Sequence, residues 1–304
     1  MKNSREYMAD LANSSDILYE LSEFEQRTLK QVLLEMYLDI EKFCEENNIT
    51  VMLGGGSALG AIRHKGFIPW DDDLDLLMSR TDYNKFIKNF ETELGDKYYL
   101  CAPNAQHQSR TCFAKVIKKD TKFREIFDVN SPHHTGVFID IFPIEFVPDS
   151  KNLQKIKGFF MNSISYISFS VYLFKYKNEV IYKYMSQSKG SRENYQFRLL
   201  IGCVFSFMPH TKWCKLFDKL VTSKNTNKYC GIPTGRKHYN GEILEKEVYF
   251  PASKAEFEGL QVNVPNDVDT YLKNLYGDYL KIPPVEKRER HYVVEFDITP
   301  RKGE

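Results

Sequence analysis

The sequence has almost no charge imbalance: 42 Lys and Arg stand against 41 Asp and Glu in 304 residues, a net of +1. Without a positive excess there is no broad field to gather a polyanion, which argues against non-specific nucleic-acid binding. It also has no C-x-x-C pair. The six cysteines (Cys44, Cys101, Cys112, Cys203, Cys214 and Cys230) are scattered. In a chain of this size whose N-terminus shows no apolar leader, they are expected to be reduced thiols in the cytoplasm. Nor is there an apolar run of the roughly 20 residues needed to cross a bilayer. The uncharged stretch at 158–174 covers 17 positions and is diluted by Asn162, four serines and two tyrosines. Three nucleotide or metal signatures are missing as well. There is no Gly-Lys-Ser/Thr of a Walker A loop, no G-x-G-x-x-G following a strand, and no EF-hand with its mid-loop Gly and terminal Glu.

What is present is concentrated in residues 53–78, LGGGSALGAIRHKGFIPWDDDLDLLM. Gly54-Gly55-Gly56 lets backbone approach a phosphate closely. Ser57 is expected to start a helix over 57–64 whose free N–H groups and positive dipole end favour an anion. Fifteen or so residues later come four aspartates in five positions, and on a strand Asp71, Asp73 and Asp75 project to one side. Carboxylates at that density repel one another unless a cation holds them, and hard oxygen ligands suit Mg²⁺ or Mn²⁺. Arg63, His64 and Lys65 lie between cradle and clamp. They read as neutralising nucleotide phosphates, or as a solvated helix end whose cations complement the dipole. Trp70 is a core anchor or a wall of the pocket.

This stretch resembles the signature of the LicD family, a branch of the nucleotidyltransferase-fold superfamily that includes fukutin-related protein. Asp73 and Asp75 match the superfamily's Asp-x-Asp, and Asp71 matches the additional upstream aspartate. GVFIDIFPIE supplies Asp140 at the third acidic position; an aspartate inside an apolar run is in any case costly unless hydrogen-bonded or metal-bound. Near the C-terminus FEGLQVNVP, YLKNLYGDY and IPPVEKRERH also match, so Arg288 is a candidate contact to phosphate or acceptor. The resemblance touches 50–145 and 235–291 and not the middle of the chain. It implies an α+β fold, a nucleotidyltransferase-like mixed sheet flanked by helices. Asp71, Asp73, Asp75 and Asp140 would hold the metal, and Asp73, Asp75 and Asp140 would serve catalysis. Gly55, Gly56, Ser57, Arg63, His64, Lys65 and Arg288 would bind substrate. The implied donor is CDP-choline, the acceptor a cell-surface glycan or its lipid-linked precursor, and the leaving group CMP. Other CDP-alcohols (ribitol, glycerol, ethanolamine), true nucleotidyl transfer, and a non-catalytic glycan-binding module are the rival readings.

Along the chain, Ser22-x-x-Glu25 is a capping box before a helix of roughly twenty residues. Ser79-x-x-Asp82 caps another, stopped near Gly95. Segments 98–101, 111–117, 122–127 and 137–142 read as strands, and 249–251 and 257–265 as extended. Residues 149–232 form an aromatic-rich helical lobe with a polar hinge at 186–195. The lobe either packs over the active site or rests on a membrane, since aromatic enrichment also marks bilayer interfaces. The expected division is therefore 1–148 as catalytic core, 149–232 as lobe, and 233–304 as a segment completing the site.

Overall fold

The computed structural model describes residues 16–223, 228–288 and 290–298. Residues 1–15, where the absence of a leader was read, and Glu289 of the C-terminal charge run lie outside them.

Helix α1 (Glu23–Glu46) opens on the reciprocal capping box of Ser22 and Glu25. Its Leu29, Leu33, Met36, Ile40 and Phe43 recur at helical spacing and are buried. Strand β1 (Val51–Leu53) follows and delivers the glycine turn into α2 (Gly55–His64). The helix begins two residues before Ser57 because Gly54, in extended conformation, is its N-cap. Strand β2 (Asp75–Ser79) runs into α3 (Arg80–Leu94), capped by Ser79 and ended at Gly95. Strands β3 (Tyr98–Cys101), β4 (Ala114–Lys118) and β5 (Lys122–Glu125) come next, then the nine-residue β6 (Phe138–Phe146).

The central sheet has the order β1-β2-β6-β4-β3. Only β2 and β6 are parallel within it, paired with Asp75 opposite Asp140, and the other neighbours are antiparallel, so the sheet is mixed. The burial of β2 and β6 is near-continuous because they are central strands with covered faces. Phe43 of α1 meets Phe86 and Phe90 of α3 edge-on, at ring separations of 5.4 and 5.8 Å, which locks the two helices over the sheet.

The lobe consists of α4 (Lys151–Lys175), α5 (Glu179–Met185), α6 (Lys189–Val204) and α7 (His210–Val221). The polar stretch at 186–195 is not a hinge. Ser188 caps α6 by accepting from Ser191 N–H, and most of the stretch is the first turns of that helix. A buried ion network joins lobe and sheet: Arg110 pairs with Glu125 at 2.6 Å and with Asp128, and Tyr172 of α4 donates to Asp128. The chain then rejoins the sheet as β7 (Tyr229–Gly231), beside β6 and β8 (Leu244–Glu245).

After β8, the short helical turns α8 (His238–Gly241) and α9 (Lys246–Tyr249) flank that edge. Tyr249 is thus in a turn and not extended. A hairpin, β9 (Ser253–Phe257) and β10 (Leu260–Val264), matches the extended reading of 257–265 in its second strand. Helix α10 (Val268–Tyr276) stops at Gly277. The last strand, β11 (Val293–Asp297), pairs with β5 and carries the C-terminal segment back across the molecule.

Candidate active site

Between sheet, lobe and C-terminal segment lies a cleft of about 680 Å³. Gly55, Gly56, Asp71, Asp73, Asp75 and Asp140 all line it. Three local facts bring them together. Tight approach of α2 is the first: a methyl group on Gly55, whose φ is +47°, would collide with Asp75 Oδ2, and one on Gly56 would lie 2.9 Å from Asp71 Oδ2. Alternation is the second. Residues 71–75 are half-buried, buried, half-buried, buried, half-buried in turn, so the odd aspartates share a side even though regular strand begins only at Asp75. Register is the third, placing Asp75 and Asp140 as Cα partners across β2 and β6.

The acidic groups divide into two sets. Carboxylate oxygens of Asp71, Asp72 and Asp73 lie within 4.8 Å of one another. Asp75 and Asp140 stand beside them, and Lys115 Nζ lies 2.9 Å from Asp140 Oδ1, over the Phe138 ring at 3.1 Å. Lys115 and Asp140 are opposite one another on β4 and β6, and both are buried. The lysine was legible in principle: a cation inside the apolar run AKVI needs a buried counter-charge as much as Asp140 does.

Asp72, the most buried of Asp71, Asp72 and Asp73, serves the C-terminal segment. It accepts from the His291 backbone N–H at 3.0 Å and lies 2.9 Å from His291 Nδ1, while His291 Nε2 is 3.8 Å from Asp73 Oδ2. Burial opposes the imidazolium, but the Asp72 partner outweighs it and the His291 pKa is raised well above its usual value. Burial first, and then repulsion from Asp73, push Asp71 and Asp75 well above the carboxylate range. Burial likewise pushes Asp73 up to about 6, with His291 opposing the rise. A crowd of hard oxygens that resists ionisation is the donor set a divalent cation would complement, so the residues fit Mg²⁺ or Mn²⁺.

The expected substrate contacts are distributed unevenly. Arg63 lines the cleft, donating to Tyr279 O at 2.7 Å and standing 5.8 Å from the Trp70 ring. Arg288 lines it too, with its guanidinium 4.2 Å from the same ring, so Trp70 is a cleft wall that orients two cations. Ser57 is buried and its Oγ accepts from Asp75 N–H at 2.9 Å; it fixes the start of β2 and does not point at substrate. His64 is held off the cleft wall, accepting from Arg63 Nε at 2.9 Å and edge-on to Trp70. Lys65 is not brought to the cleft. It caps the end of α2 in left-handed conformation, is 71% exposed, and pairs with Glu256 at 3.2 Å.

Long-range partners escaped the sequence reading. Tyr271 of α10 accepts from Gly55 N–H at 2.9 Å, fixing the glycine turn from a helix 216 residues away. Tyr276, Arg236 and Arg290 add further cleft lining, and at the lobe end Phe127, Phe169 and Tyr195 make the wall apolar.

Comparison with known proteins agrees with this geometry. A family model described as LicD/FKTN/FKRP, nucleotidyltransferase domain, matches residues 48–178, which hold the five cleft aspartates from Asp71 to Asp140. The lipopolysaccharide cholinephosphotransferase LicD of Haemophilus influenzae is 29% identical over 259 residues, covering 83% of this chain and 90% of that protein. Shorter matches join the chain to uncharacterised proteins of Rickettsia typhi (38% over 64 residues, 21% of this chain and 19% of that one) and Rickettsia prowazekii (40% over 50 residues, 16% and 19%). With a mixed sheet that sets Asp75 beside Asp140, a glycine turn packed on the acidic run, and these matches, the chain is similar to the LicD family of phosphotransferases, over residues 48–178 by the family model and over most of its length by the relative from Haemophilus influenzae.

Proposed function

We propose that the protein transfers phosphocholine from CDP-choline to a hydroxyl of a cell-surface glycan or its lipid-linked precursor, releasing CMP. The observation that carries this reading is the meeting of Gly55 with Asp75, and of Asp75 with Asp140, in one cleft: a glycine turn packed directly against clustered carboxylates. The relation to a lipopolysaccharide cholinephosphotransferase supports the choice of donor and acceptor class.

Asp71, Asp73 and Asp75 are the residues proposed to hold Mg²⁺ (or Mn²⁺), with Asp140 beside them. When bound, the ion would supply Lewis-acid neutralisation of the phosphate oxygens. Arg63 and Arg288, braced on Trp70, grip the donor's phosphates. The acceptor oxygen attacks the phosphocholine phosphorus, the bond from that phosphorus to the CMP oxygen breaks, and CMP leaves with the electron pair. The hydroxyl proton goes to Asp140, the carboxylate that stands beside the proposed ion ligands in the cleft. Lys115 Nζ, 2.9 Å from Asp140 Oδ1, holds that side chain in place.

The test is product analysis by mass. Purified protein incubated with CDP-choline, Mg²⁺ and an acceptor glycan should yield a phosphocholine adduct and free CMP. A CMP adduct would instead identify a nucleotidyltransferase. Absence of metal-dependent CDP-choline binding in calorimetry would favour the glycan-binding module. A panel with CDP-ribitol, CDP-glycerol and CDP-ethanolamine separates the donors.

A further inference from the structure

The near-neutral total conceals a strong asymmetry. Residues 151–221, the four helices of the lobe, carry 12 Lys and Arg against 3 Asp and Glu, a net of +9 in a chain whose total is +1. Ten of those 12 cations are exposed; Lys157 and Arg198 are the exceptions. Of the three acids, Asp218 is turned inward onto Arg80 at 2.9 Å, and Glu193 lies 3.9 Å from Lys189. The outer surface of the lobe therefore keeps most of that excess, with ten exposed cations against the exposed Glu179 and Glu193.

The same helices expose apolar side chains to solvent. Of the 16 large hydrophobic residues exposed among the described residues, ten lie within 151–221. They follow helical spacing: Ile156, Phe159 and Phe160 on α4, and Leu200 and Val204 on α6, with Phe207 just beyond it. Phe207 is 77% exposed and Phe159 68%. The two helices are packed closely, since a methyl on Gly202 of α6 would collide with Ser170 O of α4, so both stripes belong to one body. Scattered surface hydrophobics need no explanation, but a concentration of aromatic and branched side chains on a basic lobe does. No helix of the described residues is long and apolar enough to cross a membrane.

We propose that the α4–α6 face of the lobe seats on an anionic bilayer surface, with the phenylalanines in the headgroup boundary and the lysines against acidic lipid phosphates. Apolar stripes combined with a basic excess and no spanning segment are the signature of interfacial seating. A protein partner would need an equally acidic face, whereas an anionic leaflet supplies that charge over any area. The seat also has a use. Phe169 and Leu173 of α4 and Tyr195 of α6 line the apolar end of the cleft, so the helices that rest on lipid also wall the site. An acceptor carried on a lipid would then reach the cleft without leaving the surface. Seating does not depend on the transfer chemistry and is read separately from it.

The experiment is co-sedimentation of the full chain with vesicles of phosphatidylglycerol and phosphatidylcholine in equal parts, and with phosphatidylcholine alone, at low and high salt. Anionic vesicles should bind at least about tenfold more tightly than neutral ones, and salt should weaken the binding. The triple variant Phe159→Ser, Phe160→Ser and Phe207→Ser should lose about tenfold in vesicle binding, because its apolar contact with the headgroup boundary is removed. Its melting temperature and its turnover with a water-soluble acceptor should be unchanged. Equal binding to both vesicle types, or none to either, overturns the proposal. So does a dimer in sedimentation velocity that the triple variant dissolves, which would assign the face to a second copy of the chain.

Discussion

Lys115 and Asp140 form a buried ion pair inside the sheet, 7% and 10% exposed at their side chains, so neither can be altered without stranding the other. Lys115→Met should cost about 3–5 kcal/mol in chemical denaturation, the usual consequence of leaving a buried charge alone. Added Mg²⁺ should recover part of that loss if Asp140 lies close enough to feel the ion, and an identical loss with and without Mg²⁺ would place Asp140 outside its reach. Asp73 behaves oppositely, because burial and then the like charges around it already push it up to about 6. Asp73→Asn should lower transfer by about a thousandfold, as expected when a charged ligand of the ion and its charge stabilisation are lost. The melting temperature should hold or rise, since a repulsion is relieved. A variant with substantial turnover would remove Asp73 from the chemistry.

At the scale of elements, two close approaches set the site. The start of α2 is held by Gly55 in left-handed conformation against Asp75, and by Tyr271 from α10. Gly55→Ala adds about 1–2 kcal/mol of backbone strain and a collision with the Asp75 carboxylate. It should therefore reduce donor affinity, measured by calorimetry with CDP-choline, by more than it reduces the melting temperature. In the lobe, Gly202 lets α6 approach the backbone of α4. Gly202→Leu should splay the two helices, which gives faster hydrogen exchange in α6 while the amides of β2 and β6 keep their protection. Uniform loss of protection would mean that lobe and sheet unfold as one unit.

At the scale of the molecule, the junction of lobe and sheet is built from groups that fail in acid. Burial first, and then the neighbouring His133, depress the His210 imidazole to about 3, so the folded chain holds it neutral. For a base whose folded pKa lies below its unfolded value near 6.5, stability is complete above that value and is lost as pH falls toward 3. Burial opposes the Glu125 carboxylate, but Arg110 overcomes it and holds the group at about 2, so its contribution is present above about 4.5 and disappears as pH falls toward 2. The melting temperature should thus decline from about pH 6.5 downward, and His210→Phe should retain about 2 kcal/mol more of its neutral-pH stability at pH 5 than the parent does. Equal declines would show that other groups govern the acid limb. By itself the sequence determined what depends on neighbours along the chain. The Ser22 box, the Ser79 cap, the alternation of Asp71, Asp73 and Asp75, and the anomaly of Asp140 in an apolar run are all written within a few residues. The extra turn of α2 before Ser57 and the cap at Ser188 were misread because Gly54 and Ser188 act through backbone conformation that residue type alone does not fix. Tertiary structure decided which charges meet: Lys115 with Asp140 through strand register, Asp72 with His291 across 219 residues, and Lys65 with Glu256 away from the cleft. Caps and periodicity are settled by free energies local to a turn or a strand, whereas buried charges find partners only when packing has already removed water between distant segments.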